Sequence, residues 1–569
     1  MSDSDDDIVA RIFGVDPHLV SFSLYVWNKQ RIIGLAQKIR QHDSDIVLIV
    51  GGPEATACYQ ELCDMALFDH VIAGEGEGVF SALINAIAGQ RSFDLPPMVE
   101  NPIDMALHVS PWLSDVLVPR HGVLWETSRG CPFQCAFCYD ARGSRGVREI
   151  PFERLEQELQ LFVAHGVSQV WVLDSTFNYP PERGKRLLKL IAQHAPHLHF
   201  HLEAKAEFLD EETVHLLQQI CCSVQVGLQS ARPDVLKNVN RSVDLERFAD
   251  WVQMLSDAGI TFGIDLIYAL PGDDAAGLRE SLNYALQFCP NHVEVFPLAL
   301  LPGTELFHQR NRYGLEALAQ PPYTVTSSDS MSEDQLEQCR KLAAATDIFY
   351  NTGRSMAYFL PLCHACCLDA VEVIERFADW LIDEVNCDDQ QISEINCTPI
   401  QAYSFQQAFI TDLFKRQKVD NLLPLALDLI RFHTLWADTL LGAETLPRTD
   451  WQGKDDAWLH RPWRLAESVH VEMFHYDVDE LSMAQDIDLV EFIELYPPCA
   501  STGLFIRRGE EVFCESIDEI FAALLIQSCG KQTPAQILAP FAAGLTPEYS
   551  VELVTFAVGE GLLVSSTDS

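Results

Sequence analysis

Six short apolar runs, VLWETSRG, QVWVLDSTFN, FHLEAKAEFL, SVQVGLQSA, TFGIDLIYALPGD and HVEVFPLALLPGT, recur between residues 119 and about 310. Helical segments such as FERLEQELQLFVAHG, PERGKRLLKLIAQ and LERFADWVQMLSDAG separate them. Parallel strands need long crossovers, usually helical, so this alternation predicts a parallel barrel or sheet with its functional groups at the strands' C-terminal ends. A shorter series stands ahead of it. HLVSFSLYV, DIVLIVGGPEA and DHVIAGEGEG read as buried strands, with helical KQRIIGLAQKIRQH and GVFSALINAIAGQ between and after them. An open parallel sheet of this kind points Ser21, Ser23, Gly51, Gly52 and Gly74 toward one crevice, where such sheets bind ligands.

At 569 residues the chain is too long for one hydrophobic core. Proline-rich SFDLPPMVENPIDMALHVSPWLSD reads as a linker near residues 92–118, and the strand signal fades from about residue 332. Helical patterns follow through DNLLPLALDLIRFHTLWADTLL, and GLFIRRGEEVF suggests a hairpin before further helices. The expected division is therefore 1–100, an α/β domain; 119–330, the strand–helix core; 331–445, helical; and 446–569, mixed.

The 39 Lys and Arg face 82 Asp and Glu, a formal net charge of −43. Such a field repels phosphates and disfavours a nucleic-acid partner, while also serving solubility. No run of about 18 apolar residues is present, and the acidic start MSDSDDDIVARIF lacks a basic n-region, so a cytoplasmic protein with no membrane segment is expected. Its 17 cysteines are then reduced thiols, metal ligands or catalytic groups rather than disulfides.

Three of them crowd into RGCPFQCAFCYD, residues 129–140: Cys131, Cys135 and Cys138. Thiolates suit zinc or iron–sulfur clusters, but a structural zinc site closes with four protein ligands and no convincing second pair stands near. Three ligands on one loop fit three irons of a [4Fe-4S] cube and leave the fourth iron open.

The Cys-x3-Cys-x2-Cys spacing, with Phe137 before the last cysteine, resembles the signature of the radical SAM superfamily. The resemblance implies a partial (β/α)6 TIM-type barrel. It also implies a [4Fe-4S] cluster on Cys131, Cys135 and Cys138, and S-adenosylmethionine (SAM) chelated at the open iron and cleaved to a 5′-deoxyadenosyl radical. An electron donor such as a flavodoxin or ferredoxin follows from that chemistry. DSTFN stands where the family commonly has a Gly-Gly-Glu stretch, making Asp174, Ser175, Thr176 and Asn178 candidates for the SAM amino group. Glu203 and Lys205 stand where a polar residue commonly meets the ribose, or they form a surface pair. VGLQSARPDVLKNVNR adds Gln229, Ser230 and Arg241 as candidates for ribose or carboxylate, unless Arg241 pairs with acids on its own helix.

SFSLYVWN, IVGGPEAT and AGEGEG resemble the cobalamin-binding domain that precedes the barrel in one large class of these proteins. Together with TSRGCPF and YNTGR, they make residues 18–355 similar to cobalamin-type radical SAM proteins that carry an uncharacterised C-terminal domain. No Asp-x-His-x-x-Gly loop supplies a histidine for cobalt. The expected first strand, first helix and second strand are not found before DPHLVSF, so the domain reads as a truncated Rossmann-like one, with cobalamin binding or a packing role both open.

The class implies a methyltransferase acting on a small molecule or peptide. Alternatives are a cobalamin-free radical SAM oxidoreductase or peptide-modifying enzyme, and a non-catalytic iron–sulfur scaffold or partner subunit. PLCHACCLDA offers Cys363, His364, Cys366 and Cys367 as a second metal site, against buried thiols in a helical run. The tail from Gly503 to Val564 weakly resembles small winged-helix-like peptide-recognition domains, against a generic interaction domain.

Overall fold

The computed structural model describes residues 3–89, 91, 93, 95, 96, 98, 99, 103–114, 116–140, 146–385, 391–448, 456–483 and 488–565. Parts of the expected linker, among them 92, 94 and 100–102, lie outside the described residues. The chain divides into two compact units, Met1–Arg340 and Lys341–Ser569.

In the first unit, strands β1 (Leu19–Ser23), β2 (Val47–Gly51) and β3 (His70–Val71) form a parallel sheet in that order. Leu19 pairs with Val47 and Ser23 with Gly51, which brings the two strand ends level. The helix Lys29–His42 buries Ile32, Leu35, Ala36 and Ile39, a spacing of one helical face. Ile32, Ala36 and Ile39 share a core with Leu48, Val50 and Phe68.

Next come β4 (Gly122–Trp125), the short antiparallel pair β5 (Ser128–Arg129) and β6 (Arg148–Glu149), then β7 (Gln169–Val172), β8 (His199–Ala204), β9 (Cys222–Gln229), β10 (Thr261–Tyr268) and β11 (His292–Pro297). The six long strands form one sheet in the order β11-β10-β9-β8-β7-β4, every pair parallel, which is the expected partial (β/α)6 barrel. Alternation decides which side chains face inward. Along β9, Cys222, Val224, Val226 and Leu228 are buried, while Ser223, Gln225, Gly227 and Gln229 take the other face.

The described part of the linker is fastened to the barrel. Buried Glu158 accepts hydrogen bonds from Ser110 Oγ, from Trp125 Nε1 at 2.8 Å and from Arg154 Nε at 2.9 Å.

In the second unit the helical region and the mixed region, expected as separate domains, share packing. Phe432 on the helix Leu423–Leu441 meets Phe505 at 5.6 Å, and Asp428 accepts from the backbone of His475 and Tyr476. The expected hairpin is present as Ser501–Arg508 paired with Glu511–Ile517, with His470–Phe474 on its other side. Among the described residues, no helix is long and apolar enough to cross a membrane.

Candidate functional site

Cys131, Cys135 and Cys138 lie on the loop that leaves β5, where Gly130 turns the chain at a φ of 96°. The loop is held to the barrel through its backbone: Ala136 N donates to Val239 O, and Leu306 N donates to Ala136 O. Phe133 packs against Tyr179 and Phe208, with the Lys205 ammonium 4.1 Å from its ring centre, and Phe137 is half-buried. All three cysteines are free thiols. Burial pushes the Cys138 thiol up to about 12, with nearby Asp140 adding to the effect, and burial also raises Cys131. Among the described residues no three His, Cys, Asp or Glu side chains converge on a single metal ion. A cube that takes one thiolate on each of three irons does not require that convergence, and the donor set fits it.

The second strand end divides the expected SAM ligands. Asp174 is buried: its carboxylate accepts from Thr127 N and Oγ1, from Ser128 N and Oγ, and from Arg183 Nη1 at 3.2 Å. It fastens the end of β4 to the end of β7 and has no capacity left for an amino group, which corrects its expected role. Asn178 is likewise taken up by the fold, exchanging two hydrogen bonds with the backbone of Lys205 at 2.9 and 3.2 Å. The Thr176 hydroxyl closes on Ser175 O, and Ser230, fully buried, caps Arg232 N and meets Ser281. Ser175 remains, facing Asp140 across the cluster loop at 2.9 Å.

The inner face of the barrel carries the other candidates. Arg241 Nη1 stands 4.0 Å from Cys135 Sγ, and its Nη2 donates to Gly227 O. Among the described residues, Arg241 Nε and Gln229 Oε1 are both buried without a hydrogen-bond partner, and Gln229 sits at a φ of 73°. Unsatisfied buried polar atoms are costly, so this pair beside the cluster loop fits a polar ligand there. Glu203 is exposed on the open face of β8, yet the protein around it desolvates its carboxyl and, helped by Asp265, pushes it up to about 7. Lys205 Nζ also lies 3.5 Å from Glu207.

Sequence reasoning missed Asp265 and Gln225. Gln225 Nε2 donates to Asp265 at 2.6 Å, and burial raises Asp265 to about 6. Gly263, level with Gln225, makes this possible, because a Cβ there would lie 2.1 Å from Gln225 Oε1. The available signal was the polar member of each alternating pair along β9 and β10.

A cavity of about 1200 Å3 opens beside the cluster loop, larger than the roughly 300–1,000 Å3 of ordinary small-ligand pockets. Ser21, Ser23, Gly51, Gly52 and Gly74, the five crevice residues expected from the sequence, all line it. Gly130, Tyr139, Asp140 and Ser175 close it from the barrel side. Gly52 is needed in that wall: its φ is 109°, and a Cβ would stand 2.8 Å from Leu24 O.

Residues 125–285 match the model of the radical SAM superfamily, and residues 1–84 match that of the B12 binding domain. The chain carries a B12-binding domain followed by a radical SAM domain. These two domains imply a [4Fe-4S] cluster, SAM and cobalamin as cofactors, and the cavity lies where the two domains face each other.

Curated relatives include the cobalamin-dependent radical SAM methyltransferase TokK of Streptomyces tokunonensis, 23% identical over 356 residues, covering 54% of this chain and 51% of TokK. The 2-(S-pantetheinyl)-carbapenam-3-carboxylate methyltransferase of Streptantibioticus cattleyicolor is 23% identical over 398 residues, covering 59% and 57%. The chain thus spans little more than half the length of these relatives. The solved structure of the cobalamin-dependent SAM radical enzyme OxsB with aqua-cobalamin and SAM shares the fold, with a TM-score of 0.50 at 12% identity over 73% of this chain and 74% of OxsB.

In the second unit Cys363 and Cys366 are buried and Cys367 is exposed. Cys363 lies on the short helix Phe359–Ala365, and burial holds its thiol well above the usual range.

Proposed function

We propose that this protein is a cobalamin-dependent radical SAM methyltransferase acting on a small molecule. The observation that carries the reading is the cavity. One wall is the carboxyl end of the B12-binding sheet, and the opposite wall is the flank of the loop bearing Cys131, Cys135 and Cys138. A ligand seated there meets both chemistries at once.

When bound, the cluster supplies the electron that cleaves SAM, and cobalamin supplies the methyl group. The chain's own residues bind and orient. Cys131, Cys135 and Cys138 hold the cluster; Arg241 and Gln229 offer a guanidinium and an amide oxygen beside it; Glu203 takes a hydroxyl of the ribose. Ser21, Ser23, Gly51, Gly52 and Gly74 let the corrin approach the backbone closely. A carbapenam methyltransferase among the relatives supports a small-molecule acceptor, and a low-potential flavodoxin- or ferredoxin-type donor supplies the electrons.

The test is retention of corrin. Reconstituted protein is incubated with hydroxocobalamin, desalted and examined by absorbance. About one corrin per chain is expected; a spectrum free of corrin removes the methyltransferase reading.

A further inference from the structure

The two walls of the cavity are joined by a charged bridge that the cofactor roles above do not use. Glu75, on the turn after β3, and Glu77, the first residue of the helix Glu77–Ala88, line the cavity, as do Glu126, Arg129 and Arg148 on the barrel side. Arg129 donates to both oxygens of Glu126 at 2.7 and 2.9 Å and to Glu77 at 2.6 Å, and lies 3.5 Å from Glu75. Arg148, its cross-strand partner on β6, pairs with Glu75 and donates to Ile103 O at 2.9 Å. Glu77 Oε2 and Arg148 Nε are buried and have no hydrogen-bond partner among the described residues, so the bridge retains unmet valences at the cavity wall. Arg129 is also covalently close to the chemistry: Gly130 alone separates it from Cys131.

We propose that Arg129 is a positioning residue that couples occupancy of the cavity to the cluster loop. A corrin seated against Gly74 and its neighbours moves Glu75 and Glu77. Those carboxylates carry the guanidinium with them, and the backbone at Gly130 transmits the movement to Cys131. SAM then binds the cluster with a different affinity when corrin is present, and by linkage corrin binds differently when SAM is present. This inference rests on the proposed function, since it takes a corrin as the occupant.

The experiment measures SAM affinity of the reconstituted full chain with and without hydroxocobalamin, together with the electron paramagnetic resonance spectrum of the reduced cluster. In the wild type the affinity changes at least about fivefold on adding corrin, the lower end of typical coupling, and the spectrum changes with it. In Arg129→Lys and in Glu77→Gln, compared on protein loaded to the wild-type iron and corrin content, the factor falls below about twofold. Glu77→Gln leaves the Arg129–Glu126 contact intact, so it tests the bridge even if the arginine variant assembles poorly. Corrin retained with unchanged SAM affinity in the wild type overturns the coupling alone, as does a wild-type factor kept by Glu77→Gln. Failure to retain corrin overturns the proposed function and the coupling with it.

Discussion

Lys29 Nζ donates to Tyr323 OH at 2.9 Å, joining a helix of the B12-binding domain to a segment 294 residues away, beyond β11. Both residues are buried, and Lys29 also lies 3.1 Å from Glu54, on the short helix Pro53–Ala57 that starts at the cavity wall. Burial by itself would depress the lysine's pKa, but its bonds to Tyr323, Cys58 and Glu54 outweigh that and raise it. Lys29→Met leaves the Glu54 carboxylate buried without its cation, a loss of about 3–5 kcal/mol. Pairing it with Glu54→Gln recovers much of that loss. Urea melts of the two variants and the wild type check the order.

Asp174 is predicted to act on the cluster through the fold. Asp174→Asn removes the charge paired with buried Arg183 and two acceptor positions used by Thr127 and Ser128. A cost of about 3 kcal/mol is expected, with reduced iron content after reconstitution, because Ser128 directly precedes Arg129 and the cysteine loop. Iron assay and thermal melting measure the two effects.

Asp265 gives a pH dependence. Its folded-state pKa, about 6, stands above the ordinary 3.8, so the folded state holds a proton that the unfolded chain has already released between those values. The stability that Asp265 contributes therefore falls as pH rises from about 4 to about 6 and is level above that. At about 1.36 kcal/mol per pH unit the effect is at most about 3 kcal/mol, and solvent screening at this partly exposed side chain reduces it. Asp265→Asn is expected to flatten this slope in melting curves taken across pH 4 to 8.

Gly52→Ala places a methyl against Leu24 O at a φ of 109°. The strain costs roughly 1–3 kcal/mol and displaces the wall of the cavity. Hydroxocobalamin retention after desalting is expected to fall at least about tenfold while iron content stays at the wild-type level.

The parallel strands were legible because each is a short apolar run bounded by a turn; the three expected in the first sheet and the six in the barrel are all present. The crevice residues were legible for the same reason, since glycines and serines at parallel strand ends have one place to point. The second strand end was not legible. DSTFN offers four polar side chains, and only tertiary partners such as Arg183 and Lys205 decide which are spent on the fold. The Glu75–Arg148 and Glu77–Arg129 pairs span 73 and 52 residues, and the glycine spacing of AGEGEG carries no mark of them.

The loop bearing Cys131, Cys135 and Cys138 is expected to bind and cleave SAM. Anaerobically reconstituted protein, supplied with SAM, hydroxocobalamin and a strong reductant, should form 5′-deoxyadenosine, and Cys135→Ala should form none. SAM left intact in the wild type, with the cluster fully assembled and corrin retained, would show that the loop carries no radical SAM chemistry.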